Sequence, residues 1–198
     1  KSGGIRCQAS GFSLTVDPAS GARESADFGE EGQNKLVLKT EAPSGMDFPT
    51  AGGVIATSGE YEVSGVIVKG IPLREESSVG KLRTVYLVDM DEIRLCFLGP
   101  LTKELKDESL EKLEEVDILF VPVGAPFLGE KQALALIKQI EPKIVIPTCG
   151  ELRRTTAAKN VKSLAEELGG RPEPEEKLTI KSKDLGEEGT RLVWLKGE

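Results

Sequence analysis

Histidine is absent from this chain of 198 residues. Histidine is the side chain that most often acts as a general base near neutral pH, and it is the commonest neutral ligand of zinc, iron and copper. Mechanisms that need an imidazole as a base, a proton shuttle or a metal ligand are therefore excluded. Any chemistry would have to be carried by carboxylates, amines, hydroxyls or thiols.

Cysteine is scarce, with only Cys7, Cys96 and Cys149 in the chain. A set this small and unevenly spaced predicts neither a disulfide framework nor a zinc cluster. Buried cysteine usually behaves as a small apolar side chain. We expect this of Cys96, because it precedes Phe97 in a predicted strand and so faces the opposite side of the sheet.

Long apolar runs and clusters of basic residues are also lacking. A helix that spans a bilayer needs about 20 apolar residues, and a signal peptide needs an apolar core that the first residues do not supply. We therefore expect a cytoplasmic protein with no membrane contact. The formal net charge is −7, and nucleic-acid binding usually requires a basic patch, so a nucleic-acid partner is not expected.

The first half of the chain contains short β-type runs separated by turn signals. In its central stretch, residues 84–101, apolar runs at 85–88 and 93–98 flank the polar residues 89–92, which predicts a hairpin. Gly99-Pro100 ends the second run. Further predictions are a hairpin from residues 5–7 and 12–16, strands at 35–39, 54–56 and 61–72, a polar segment at 21–32 and a loop at 40–47.

The second half of the chain switches to helical spacing. Apolar residues recur at helical intervals in three segments, which predict helices at 107–116, 130–140 and 155–168. Continuous apolar runs at 117–122 and 144–147 predict strands buried on both faces. Residues 178–180 and 192–195 are predicted as closing strands. The turn at 124–129 precedes a helix and has two interpretations, an anion cradle or, as we prefer, an ordinary connection.

Strands first and alternating strands and helices afterwards predict a mixed α/β (α+β) protein. The arrangement that suits this order is a four-layer αββα sandwich, with two packed sheets and helices outside them. The short segment Pro172-Glu173-Pro174 is the only linker-like stretch, and it is too short to separate domains. We therefore expect a single domain over residues 1–198.

Several runs in this frame resemble the metallo-β-lactamase fold, in its small branch of ascorbate-6-phosphate lactonase-like hydrolases. The more specific runs are Gly-Glu-Tyr-Glu-Val-Ser-Gly at 59–65 and Ile-Glu-Pro-Lys-Ile-Val-Ile-Pro at 140–147. Supporting runs are Leu-Thr-Val-Asp-Pro at 14–18, Thr-Val-Tyr-Leu-Val at 84–88 and Asp-Ile-Leu-Phe-Val-Pro-Val-Gly at 117–124. The resemblance covers nearly the whole chain and implies a metal-dependent hydrolase scaffold.

The resemblance also implies where metal ligands would lie. In that family a Thr-His-x-His-x-Asp-His loop supplies ligands, and residues 40–46 here read Thr-Glu-Ala-Pro-Ser-Gly-Met. The family's His-Leu-Gly-Asp becomes Phe-Leu-Gly-Pro at 97–100, and its last histidine becomes Thr148 or Cys149. The former site implied in this way comprises Glu41, Pro43, Met46, Phe97, Pro100 and Cys149, together with Asp47, which a one-residue slip would bring to the family's Asp position.

Replacement of every histidine ligand predicts a metal-free, catalytically inactive protein with no cofactor and no catalytic residues. We expect a binding or assembly role, with a second copy of the chain or another protein as partner. The alternative is a hydrolase with altered chemistry. It would use Cys149 as a nucleophile or a hard cation held by Glu41, Asp47 and Asp17.

Overall fold

The computed structural model describes residues 4–18, 34–45, 53–148, 154–186 and 189–196, with the backbone alone at 154–157. Its strands are β1 (Ile5–Ala9), β2 (Phe12–Val16), β3 (Lys35–Leu38), β4 (Glu41–Pro43), β5 (Val54–Ile55), β6 (Gly59–Val63), β7 (Val66–Pro72), β8 (Lys81–Met90), β9 (Ile93–Phe97), β10 (Ile118–Pro122), β11 (Ile144–Thr148) and β12 (Arg191–Leu192). Its helices are α1 (Asp107–Leu110), α2 (Glu130–Ile140), α3 (Arg154–Glu167) and a 3₁₀ turn (Ser182–Asp184).

The strands form two sheets. The smaller sheet has the order β1-β2-β3-β5, and the larger has the order β12-β11-β10-β9-β8-β7-β6 with β4 paired to β8. Strands β6 to β9 are antiparallel neighbours, whereas β9, β10, β11 and β12 are parallel. The continuous apolar runs predicted as doubly buried strands form β10 and most of β11, in the parallel half, where both faces are covered.

Two apolar cores flank the larger sheet. One core lies between the sheets and contains Leu14, Val68 and Phe97. The other lies on the opposite face, where α2 and α3 contribute Leu136 and Leu164 and the sheet contributes Cys96. Each fully buried Leu, Val or Phe side chain contributes roughly 1.5–3 kcal/mol to folding. Cys96 and its neighbour Phe97 therefore face opposite cores, as the strand pattern predicts.

Tight turns close the hairpins through residues in the left-handed region. The β1–β2 turn has Ser10 and Gly11 at φ of 45° and 80°, and the β8–β9 turn has Asp91 and Glu92 at 50° and 61°. Positive φ at both central positions matches the twist of antiparallel strands. The β8–β9 hairpin is therefore tighter than predicted. Residue 89 lies inside β8, where it pairs with Arg94 in β9.

Several predicted elements are wrong or incomplete, and of the closing strand predicted at 192–195 only Leu192 lies in a strand, β12. The predicted helix at 107–116 stops at Leu110, and Leu113 and Val116 reach the core from the turns that follow. Leu178 and Ile180 pack against the core between the sheets, but their backbone forms no strand. The predicted loop at 40–47 contains the short strand β4, which pairs with β8 in the register Glu41 to Arg83.

Within the described ranges, no helix is long and apolar enough to cross a membrane. The predicted polar segment at 21–32 lies outside the described residues. Mixed α/β architecture, with two facing sheets and helices packed on the larger one, is confirmed as the fold class.

Candidate functional site

The structure describes four of the residues that the resemblance places at a metal site. Glu41 and Pro43 lie on β4, Phe97 ends β9, and Pro100 follows it. Met46, Asp47 and Cys149 lie outside the described residues. Glu41 and Pro100 are brought together through a shared partner, Arg83, whereas Phe97 points into the core between the sheets.

Phe97 is a core residue. Its side chain is 1% exposed, and its ring stacks on that of Phe120 with centroids 4.5 Å apart and planes 13° apart. The two rings are neighbours because β9 and β10 pair in parallel with Phe97 opposite Phe120. An apolar ring pair in this position excludes water and offers no ligand atom.

Gly99 lies directly against Thr40. The backbone at Gly99 has a φ of 63°, and a Cβ built there would lie 2.5 Å from the Cβ of Thr40. Thr40 itself is 1% exposed, and its carbonyl accepts a hydrogen bond from the Thr84 amide at 2.9 Å. The segment after β9 and the residue before β4 therefore touch, with no room for an additional group.

Asp17 lies beneath Thr40. The Thr40 amide donates to Asp17 Oδ1 at 2.8 Å, and the Thr40 hydroxyl donates to Asp17 Oδ2. Burial raises the pKa of Asp17, and the hydrogen bonds from Thr40 oppose this effect without cancelling it. Both carboxylate oxygens thus already have a partner from Thr40.

Arg83 is the centre of a polar network that the sequence did not predict. Its Nε and Nη2 atoms each lie 3.2 Å from Glu41 Oε2, and Nη1 lies 2.5 Å from Glu76 Oε2. The same Nη1 donates to the carbonyl oxygen of Pro100 at 2.9 Å. Lys81 adds a second cation, 2.8 Å from Glu41 Oε1.

Glu76 anchors the segment that follows Pro100. Its carboxylate accepts hydrogen bonds from the Thr102 amide at 2.9 Å, the Thr102 hydroxyl at 2.8 Å and the Lys103 amide at 2.6 Å. Burial would raise the pKa of Glu76, but these hydrogen bonds, together with the Arg83 charge, outweigh it and lower the pKa. Glu76 is therefore an ionised, nearly buried partner of Arg83, with a side chain only 6% exposed.

These residues do not fit a metal ion. Among the described residues, no three Asp, Glu or Cys side chains are arranged as a ligand set. Glu41 and Glu76 both contact the Arg83 guanidinium, which would repel a divalent cation at the same place. Of the carboxylates in the alternative hard-cation site, Asp17 is bound by Thr40 and Glu41 by Arg83 and Lys81, while Asp47 lies outside the described residues.

The turn at residues 124–129 uses its amides internally. The Gly124 amide donates to the Leu128 carbonyl and the Phe127 amide to the Gly124 carbonyl, both at 2.8 Å. At the start of α2, the Gly129 amide donates to Gln132 Oε1 at 3.1 Å. These bonds, and the carboxylate of Glu130 in the first turn of α2, favour the connecting turn over the anion cradle.

The sequence also matches a known family. Residues 6–149 match the family model described as the β-lactamase superfamily domain. The match spans more than half of the chain, and the chain therefore belongs to the β-lactamase superfamily. No curated protein matches the chain by sequence.

Solved structures share the fold of this chain. A protein from Thermotoga maritima, described as a Zn-dependent hydrolase of the metallo-β-lactamase superfamily, is 20% identical with a TM-score of 0.70, over 98% of this chain and 95% of that one. Igni18, a metallo hydrolase from Ignicoccus hospitalis, is 16% identical with a TM-score of 0.58, over 84% and 86%. At these identities the likeness establishes the metallo-β-lactamase fold.

Proposed function

We propose that this protein is a metal-free, non-hydrolytic member of the β-lactamase superfamily that acts by binding or assembly. One observation carries the proposal: an arginine-centred ion-pair network joins Glu41 to the Pro100 carbonyl, two positions where the resemblance implies metal ligands. The complete absence of histidine supports it further.

The hydrolytic mechanism that the resemblance implies depends on water activated by a metal ion. Without histidine, the ligands would have to be carboxylates or thiols. Among the described carboxylates at this place, Glu41 is paired with the cations Arg83 and Lys81, and Asp17 accepts hydrogen bonds from Thr40. Phe97 fills the neighbouring volume with an apolar ring. A reaction that needs a cation and an open, polar cavity has no support from these residues.

A role in assembly is supported by apolar side chains on the outside of the protein. Val79 is fully exposed at the tip before β8, and Leu82 in β8 is 37% exposed. Both lie beside β4, where the Ser44 amide donates to the Gly80 carbonyl at 3.3 Å. A contact at this turn would bury both apolar side chains, and burial of apolar surface favours association.

The first experiment measures the metal content of the purified protein by mass spectrometry, with hydrolysis assays on ester, lactone, phosphodiester and β-lactam substrates. We expect less than stoichiometric zinc, iron or manganese and no turnover above the buffer. Stoichiometric metal that is required for turnover would overturn the metal-free, non-hydrolytic part of the proposal.

The second experiment measures mass in solution by light scattering across a range of concentrations. We expect self-association, or association with a protein that co-purifies with this one. The double variant Val79→Ser/Leu82→Ser should weaken it. The matched control is Ile67→Ser, which alters another exposed apolar residue, 51% exposed on β7. A monomer at every concentration with no partner, or an equal effect of the control, would contradict the assembly role.

A further inference from the structure

Arg83 connects three separate segments of the chain. Its guanidinium contacts β4 through Glu41, the turn before β8 through Glu76, and the segment after β9 through the Pro100 carbonyl. These partners are 42, 7 and 17 residues away. A metal ion holds distant segments together in the same way, by binding ligand atoms from each of them.

The guanidinium suits this task because it is planar, carries five donors in a fixed fork and stays charged at any pH that proteins tolerate. Here Nε and Nη2 face the Glu41 carboxylate, and Nη1 faces both the Glu76 carboxylate and the Pro100 carbonyl. The Arg83 side chain is 15% exposed and that of Glu76 is 6% exposed, so water screens this pair weakly. With Lys81 on Glu41, two cations balance two carboxylates.

We propose that Arg83 serves as a built-in cation that ties β4 to the segment after β9, in the place where the resemblance implies a metal ion. The inference deepens the proposed function and rests on its metal-free character. It states how this member of the superfamily holds together without a metal. Arg83 is a positioning residue here, not a catalytic one.

The test compares Arg83→Met with Arg94→Met in urea unfolding. Arg94 is a matched control because it also pairs with a carboxylate in the larger sheet, through bonds of 2.7 and 3.2 Å to Asp89, and donates to the Glu114 carbonyl at 3.2 Å, but its side chain is 32% exposed. Removing one partner of a buried pair leaves an uncompensated charge, whereas an exposed pair contributes little. We expect the unfolding equilibrium constant to rise roughly 100-fold for Arg83→Met and less than about tenfold for Arg94→Met.

Hydrogen exchange distinguishes a local effect from a general loss of stability, because only a local effect speeds exchange in some segments more than in others. Arg83→Met should speed exchange at the amides of residues 41, 42, 98, 99 and 101–103 more than in the rest of the larger sheet, and Arg94→Met should not. If Arg83→Met does not fold, Arg83→Lys serves instead, because lysine keeps the charge but cannot reach all three acceptors with one rigid group. Arg83→Lys should then show the same local pattern at smaller amplitude.

Two experiments, removal of metal by a chelator and addition of Zn²⁺, separate this inference from the proposed function. Chelator should leave the urea midpoint of the wild type unchanged, and added Zn²⁺ should not restore Arg83→Met. If the two Met variants are equally stable and exchange alike, the Arg83 tie is refuted while a metal-free protein stands. If the wild type holds stoichiometric metal and Arg83→Met still loosens both segments, the metal-free proposal fails, and Arg83 is a structural tie that does not replace a metal ion.

Discussion

Gly99 and Thr40 are in direct contact, although 59 positions separate them along the chain and each belongs to a different segment of the site. A Cβ added to Gly99 would lie 2.5 Å from the Thr40 Cβ, and the backbone there has a φ of 63°. Thr40 is itself fixed by hydrogen bonds to Asp17 and Thr84. The contact therefore has little freedom to relax.

Gly99→Ala should consequently destabilise the protein by about 3 kcal/mol, since left-handed strain of about 1–2 kcal/mol adds to overpacking of similar size. The matched control is Gly65→Ala. Gly65 has a φ of 81° and open space around its Cα, so only the strain should remain, at about 1–2 kcal/mol. Urea unfolding measures both variants. Equal losses would contradict a closed contact between Gly99 and Thr40.

Phe97 should behave as a packing residue. Phe97→Ala leaves a cavity beside Phe120 and should cost about 3–5 kcal/mol, whereas Phe97→Leu keeps most of the volume and should cost about 1 kcal/mol. Chemical denaturation followed by the single tryptophan, Trp194, measures the difference. A stable Phe97→Ala protein would mean that the core between the sheets is not filled at this point.

The Glu76 carboxyl should make stability depend on acidity. Because the folded state lowers its pKa below the ordinary value of 4.5, its contribution is fully present above that value and is lost as the pH falls through the folded pKa. The urea midpoint of the wild type should therefore fall more steeply below pH 4.5 than that of Glu76→Gln.

The control for this comparison is Glu60→Gln, which alters an exposed carboxylate on β6. It should follow the wild-type curve. Asp17 titrates with the opposite sign, because its raised pKa favours the folded state at low pH. This second effect is common to all three proteins and cancels in the comparison. Parallel curves for the wild type and Glu76→Gln would refute the network around Glu76.

The described thiols should be inert in the folded protein. Burial raises the pKa of Cys7 to about 12 and that of Cys96 higher still, so neither forms the reactive thiolate near neutral pH. In a Cys149→Ala variant, iodoacetamide at pH 8 should label nothing until urea unfolds the protein. Mass spectrometry after timed quenching measures this. Fast labelling of the folded variant would contradict the placement of the two thiols, partly buried for Cys7 and fully buried for Cys96.

The sequence of one segment predicted correctly those helices and strands that depend only on that segment. Helix α2 has the predicted bounds because its apolar residues recur on one face and Gly129 precedes it. The same reasoning overextended α1, because Leu113 and Val116 have helical spacing but reach the core through turns. Strand β4 was missed because Glu-Ala-Pro has low strand propensity, and only its pairing with β8 makes it a strand.

The same distinction applies to the candidate site, where some features follow from a single segment and others arise only when several segments meet. Residues 40–46 and 97–100, where the resemblance implies metal ligands, contain no histidine, and this can be seen in the sequence alone. Arg83 and Glu76 could not be predicted, because neither lies in a recognisable motif and their partners are assembled only when β4, β8 and the segment after β9 meet. An arginine at the start of a strand gives no sequence signal that it will bind two carboxylates and a carbonyl.

The position of β12 has a consequence for how the chain is made. Strand β11 carries the buried Ile144, Val145 and Ile146, and among the described residues its outer edge pairs with the two residues of β12, which follow much further along the chain. Until the ribosome has released Arg191 and Leu192, a nascent chain presents an uncovered, strongly apolar strand edge of the kind that recruits other chains. During synthesis there is therefore a stage at which the uncovered edge of β11 is accessible to chaperones.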